Sequence, residues 1–374
     1  LTFARSGTYR AFKQVSQIFE TCELVGLVKP MTFSASVAAL QDTAAVERVG
    51  ERAASRLNEL GELLSRELAL VETLIDSGAS AGVAPASDAA RHLSRSGGKR
   101  VRPLALLLAH ACWSPVGDRG RELAAAAELV HMATLLHDDV IDDGDMRRGQ
   151  PTSRRLWGNA VSVLGGDLLL VEALRLASKA APTTWQELVS TLGRLVDGEV
   201  VQLRGRLAVS LEECTYFEIV RGKTASLFEW ALRAGAREGG APTHAVDALG
   251  EFGSHLGVAF QLVDDVLDYA GESNVTGKSM LADLSEGKVT LPLVRAAATQ
   301  SDTITSLVRD VRAGDEAAAA RLVACVRSSG ACEAVRALAV DHTAKALGCL
   351  EAVPACRARE MLASVASSLA ARVA

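Results

Sequence analysis

The sequence predicts an all-α fold, a single-domain helical bundle with an interior apolar cavity. Hydrophobic residues make up 49% of the 374 residues but aromatics only 4%, so Ala, Leu and Val carry the apolar load, a mixture that favours helix over strand. From about residue 38 onward apolar positions recur at helical spacing, and no strand-like alternation runs longer than a few residues. Pro182, Pro242, Pro292 and Pro354 fall between the helical segments or at their ends.

Residues 41–76 read as a long amphipathic stretch closed by a Ser/Gly/Ala loop over 77–82. Ser87 or Asp88 is expected to cap a short helix that ends before Gly97-Gly98. Pro103 suits the first turn of the next helix, where a missing N–H costs nothing. Further helices are predicted near 119–142, 160–180, 184–208, 211–221, 223–238 and 243–271, and the Ala- and Arg-rich tail over 302–373 reads as three or four more. Residues 1–30 carry basic residues with Ser and Thr but no signal-peptide core. Met31 reads as a more natural start, so residues 1–37 are expected to be an N-terminal extension outside the fold and 38–374 the helical domain.

A net charge of −5 gives no reason to expect nucleic acid, and no polybasic block suggests an anionic membrane surface. Seven cysteines are dispersed without CxxC spacing, which reads as reduced thiols in a cytoplasmic protein and not as a disulfide frame or zinc site. No apolar run approaches the length of a membrane span.

Two aspartate clusters of identical form carry the chemistry. Asp138, Asp139 and Asp142 form one DDxxD row, and Asp264, Asp265 and Asp268 form the other. On a helix the first and last Asp of each row lie one turn apart on one face. Such rows suit Mg²⁺, which takes a carboxylate or two plus substrate phosphates. Solvated acidic faces are the alternative, but apolar residues flank both rows, and unpaired buried carboxylates are costly.

Basic groups complement the rows. Gly97-Gly98-Lys99-Arg100-Val101-Arg102-Pro103 sets three cations beside two glycines at a helix entrance, and Arg147-Arg148-Gly149 follows the first row. Lys223-Thr224 forms a third group with Gln261, one turn before the second row. Lys278 and Lys288 sit in a polar segment over 271–288 that reads as a mobile lid. His131 lies seven residues, about two turns, before Asp138 and so on nearly the same face; a satisfied core histidine is the alternative. Carboxylates and cations on apolar helices describe a site for diphosphates attached to hydrocarbon.

In order along the chain, GGKRVRP at 97–103, ELVHMATLLHDDVID at 128–142, DMRRG at 145–149, GNAVSVLGGDLLL at 158–170, GKTASLF at 222–228, FQLVDDVLD at 260–268 and DLSEGKVTLPL at 283–293 resemble the trans-isoprenyl diphosphate synthases, or polyprenyl synthetases. The resemblance implies a bundle of the isoprenoid synthase type. Two or three Mg²⁺ ions would be held by Asp138, Asp139 and Asp142 on one side and Asp264, Asp265 and Asp268 on the other. It implies that Gly98, Lys99, Arg102, His131 and Arg148 bind isopentenyl diphosphate. Arg147, Lys223, Thr224 and Gln261 would serve the allylic diphosphate, with Lys278 and Lys288 closing over it. Ionisation, attack by the isopentenyl double bond and proton loss to the released diphosphate would follow, in a homodimer. One departure is Leu281, which stands where the family usually has Gly and bears on the lid, not on the reaction.

The resemblance also implies that a small residue five positions before the first Asp permits long products. That residue is Ala133, with Val130 one turn earlier and Leu174 as a candidate tunnel floor. Ideal helix geometry puts Ala133 about 140° around from Asp138, so Thr134, Val130 and Ala127 are better placed to line a cavity. The expected product is a long-chain all-trans polyprenyl diphosphate of the kind used for quinone side chains. The alternatives are a geranylgeranyl or farnesyl diphosphate synthase and a non-catalytic subunit of a heteromeric synthase. Helical terpene cyclases fit less well, because their second metal motif mixes Asn, Ser or Thr with Glu.

Overall fold

Long Ala- and Leu-rich segments wind into helices that bury one another. The computed structural model describes residues 66–207, 211–270, 284 and 288–371. The proposed extension over 1–37, Lys278 and Leu281 lie outside the described residues. Helix α1 covers 66–79. It is followed by α2 (Ala86–Arg95), α3 (Val101–Ala111), α4 (Asp118–Ile141), the short α5 (Ser153–Trp157), α6 (Asn159–Ala177), α7 (Pro182–Leu207) and α8 (Glu213–Val220). A π-helical turn, Arg221–Ala225, joins α8 to α9 (Ser226–Glu238). Then come α10 (Thr243–Ala270), α11 (Leu291–Thr299), α12 (Ser301–Arg312), α13 (Glu316–Ser328), α14 (Ala331–Cys349) and α15 (Arg357–Ala371).

Helix α4 runs through the core. Ala124, Ala125, Ala126, Ala127, Leu129 and Val130 are all fully buried, and small side chains let α3, α6 and α9 close on α4. Helix α10 packs along α9 and α14. Its approach to the π-helical turn depends on Gly257, where a Cβ would stand 2.5 Å from Ala225 Cα. The carboxyl-terminal half of α10 shares a second apolar cluster with α8 and α11 to α14.

One local expectation is corrected. Neither Ser87 nor Asp88 caps α2: Pro85 holds that position, Ser87 is buried in the first turn, and Asp88 pairs with Arg91. Pro292 stands at a helix end as expected, in the first turn of α11, where its fixed φ is favourable. A small hairpin, β1 (Met146–Arg147) and β2 (Gln150–Pro151), interrupts the helices, with Arg147 opposite Gln150. The tail beyond 300 forms four helices, and the six cysteines among the described residues are free thiols. No helix of the described residues is long and apolar enough to cross a membrane.

Candidate active site

A cavity of about 1130 Å³ opens between α4, α7, α8, the π-helical turn and α10. Asp138 lines it from α4, and Asp264, Asp265 and Asp268 line it from α10. Helical spacing sorts the members of each row. The middle residues, Asp139 and Asp265, are buried at 4% and 2% exposure and hold protein donors. Asp139 Oδ1 accepts from Arg147 Nε at 2.9 Å. Asp265 accepts from Gln261 Nε2 at 2.9 Å and from the backbone N–H of Leu291 at 3.0 Å. All six aspartates were expected to hold metal; Asp139 and Asp265 are seen holding protein donors, and Asp265 also lines the cavity.

Lysines stand against the outer carboxylates. Lys288 Nζ lies 2.8 Å from Asp142 Oδ2, and Lys223 Nζ lies 3.9 Å from Asp138 Oδ1. Burial lifts the Asp138 carboxyl to about 6; Lys223 and Lys288 oppose that rise, while Glu199 and Asp142 add to it. Among the described residues no three metal-ligating side chains converge on one point. That arrangement still fits Mg²⁺, a hard cation that takes one or two carboxylates and completes its shell with water and phosphate oxygen. Asp138 with Asp142, and Asp264 with Asp268, are the pairs that would hold it.

The remaining predicted residues assemble into two groups. Thr224 donates to Gln261 Oε1 at 3.0 Å, so a chain of hydrogen bonds runs from the π-helical turn through Gln261 and Asp265 to the start of α11. Tyr269 and Thr290 add a hydroxyl contact of 2.8 Å, which fixes the backbone next to Lys288.

The second group surrounds His131. Burial holds this imidazole well below its usual range, and the guanidinium groups of Arg102, Arg148, Arg147 and Arg100 push it further down. Arg102 lies 4.6 Å from the Phe228 ring centroid, and burial brings it down to about 10 against the attraction of Glu128. Burial, and then Arg147, also lower Arg148. Gly98 sits where a Cβ would be 3.2 Å from Arg100 Nη1 and 3.3 Å from Arg148 Nη1. Lys99, Arg102 and His131 line the cavity, so two basic side chains and an imidazole face its interior. Arg100 differs from its neighbours. It is buried and bonded to Glu72 at 2.6 Å and to Glu128 at 2.7 Å, which makes it part of the scaffold.

The chain-length expectations need correction. Thr134 and Leu135 line the cavity, whereas Ala133, Val130 and Leu174 do not. Ala133 and Val130 are buried in the core, and Leu174 packs against it. The physical reason for Ala133 is the helical rotation away from Asp138. The rest of the apolar wall comes from Leu195, Val196, Val200 and Leu203 of α7 with Ile219 and Val220 of α8. The sequence reading also missed Glu199 and Gln202, which line the cavity from α7. Their i, i+3 spacing on a largely apolar helix was the available signal.

Known proteins share this fold. Residues 84–328 match the model of a family described as polyprenyl synthetase. The chain is 35% identical over 305 residues to the all-trans-nonaprenyl-diphosphate synthase (geranyl-diphosphate specific) of Rhodobacter capsulatus, covering 81% of this chain and 94% of that protein. The structure of a decaprenyl diphosphate synthase from the same organism superposes with a TM-score of 0.79 at 36% identity, over 85% of this chain and 99% of that one. A polyprenyl synthase from Caulobacter crescentus, solved with calcium and isoprenyl diphosphate, gives 0.78 at 37% identity, over 86% and 98%. The chain belongs to the polyprenyl synthetase family.

Proposed function

We propose that this chain is a trans-polyprenyl diphosphate synthase that adds isopentenyl diphosphate to an allylic diphosphate and releases a long-chain product. The carrying observation is one cavity lined by Asp138 on one side and Asp264 and Asp268 on the other, with cationic side chains between and beside them. Bound Mg²⁺ would neutralise diphosphate charge and favour its departure. Asp139 holds Arg147 of the hairpin, and Asp265 is held by Gln261 of its own helix. Lys223 and Lys288 supply positive charge where the leaving group gains negative charge. Lys99, Arg102 and His131, with Arg148 and Gly98 behind them, hold the second diphosphate. The apolar wall takes the hydrocarbon and keeps water from the allylic cation. The departed diphosphate takes the proton when the new double bond forms.

Long products are supported by the cavity's size, which exceeds the roughly 300–1,000 Å³ usual for small-molecule sites. Homodimerisation is supported by exposed apolar side chains away from the cavity: Leu164 and Val171 on α6, and Val189 on α7. Calorimetry with a bisphosphonate tests the site. Binding that requires Mg²⁺ and is lost in Asp138→Asn and Asp264→Asn agrees with the proposal, and Mg²⁺-independent binding contradicts it. Turnover is expected to fall roughly 10²- to 10³-fold in either variant.

A further inference from the structure

Glu199 belongs to neither aspartate row, yet it meets Lys223, the lysine beside Asp138. Two glycines bring this about. A Cβ on Gly198 would stand 3.1 Å from Lys223 N, and one on Gly222 would stand 3.1 Å from Gly198 Cα and 2.9 Å from Arg194 O. Helix α7 and the π-helical turn therefore touch backbone to backbone, which side chains at either position would prevent. The next residues in each segment, Glu199 and Lys223, are thus set side by side. A π-helical turn adds one residue to the helical repeat and re-aims the side chains beyond it, and such turns recur at functional sites.

The Lys223 ammonium then has three neighbours. It pairs with the Glu199 carboxylate, lies 3.4 Å from Gln202 Oε1 and stands 3.9 Å from Asp138 Oδ1. Both carboxylate oxygens of Glu199 are shielded from solvent, and the ion pair with Lys223 compensates their charge. A buried carboxylate in that state is a strong restraint on its cation. Without it, a four-carbon stem leaves the ammonium free to sample many rotamers.

We propose that Glu199 is a positioning residue for diphosphate binding: it holds Lys223 beside Asp138, so that the departing diphosphate meets an ammonium group already in place. This rests on the prenyl-transfer reading of the site. The role is indirect, since Glu199 acts through Lys223 and repels the substrate's own charge.

The test combines Glu199→Gln, Lys223→Met, the double variant and Glu199→Asp, which keeps the charge should the glutamine variant fold poorly. Outer-shell partners of this kind change affinity roughly 10- to 100-fold. The expected result is such a rise in KM for the allylic diphosphate, with KM for isopentenyl diphosphate little changed and partial recovery in Glu199→Asp. The double variant should be no worse than Lys223→Met alone. Additive losses, an equal rise in both KM values, or a change in Mg²⁺ half-saturation alone would overturn the proposal. Calorimetry with inorganic diphosphate and Mg²⁺ reads the same pair without turnover: weaker binding in Glu199→Gln upholds it and unchanged binding refutes it. A protein that binds diphosphate through this pair yet makes no polyprenyl product contradicts the prenyl-transfer reading and not the role of Glu199.

Discussion

Lys288 reaches from the foot of α11 to Asp142, Nζ to Oδ2 at 2.8 Å, and so ties the segment leading into α11 to the first acidic row. Thr290 and Leu291, anchored on Tyr269 and Asp265, set where that lysine stands. The lysine and a divalent cation compete for one carboxylate. Lys288→Met should therefore bind Mg²⁺ a few-fold more tightly without substrate, a partly exposed pair being worth on the order of 1 kcal/mol. The same variant should bind the diphosphate-Mg²⁺ complex more weakly. Calorimetry with and without inorganic diphosphate reads both, and weaker Mg²⁺ binding in both arms counts against the competition.

Arg100 and Arg102 stand two residues apart and do different work. Arg100 enters α3 with φ 49°, a left-handed conformation, and its side chain bridges Glu72 and Glu128 in the interior. Removing it strands two buried carboxylates, so Arg100→Met should lose about 3–5 kcal/mol of stability by chemical denaturation. Arg102→Met should fold normally and lose isopentenyl diphosphate affinity instead. A stable Arg100→Met protein would contradict this division.

The two aspartate rows were legible because an i, i+4 spacing on an apolar background fixes both the face and the chemistry. Lys223 and Thr224 were legible as residue types, but their aim depends on a π-helical turn that no 3.6-residue period encodes. The left-handed residue at Arg100 likewise separates neighbours that the sequence reading grouped as one basic cluster. Glu199 is joined to Lys223 by a contact between two glycines in segments distant in sequence, a relationship of packing and not of periodicity. Ala133 and Val130 were both expected to bear on chain length, yet the cavity is lined by Thr134 and Leu135 and both expected residues are packed in the core.

That correction separates two substitutions one residue apart. Thr134→Phe places a ring in the cavity and should shorten the product while leaving the fold intact. Ala133 is 2% exposed in the core, so Ala133→Phe should overpack it and cost about 1–3 kcal/mol. Chromatography of dephosphorylated products and thermal melts distinguish the outcomes. Shortening by Ala133→Phe without loss of stability would show that Ala133 faces the growing chain.

His255 and His342 face each other from α10 and α14, Nδ1 to Nδ1 at 3.0 Å. Burial brings His342 down to about 4, helped by His255 and Lys345 and opposed by Asp341. Burial and then Lys345 also lower His255, with Glu251 opposing. The folded pair stays neutral where the unfolded chain takes up protons, so its contribution is present above about pH 6.5 and is lost as pH falls toward 4. His342→Gln should reduce the acid-induced drop in melting temperature by on the order of 2 °C. An unchanged pH dependence would remove the pair from the account.

The most direct test is to size the product. Purified protein would be incubated with Mg²⁺, farnesyl diphosphate and labelled isopentenyl diphosphate, and the dephosphorylated alcohols separated by reversed-phase chromatography. The account predicts alcohols longer than geranylgeraniol, made by the chain without a partner. Products that stop at geranylgeraniol would contradict the long-chain reading of the cavity, and no condensation with any allylic primer would contradict the assignment of a complete active site to this chain.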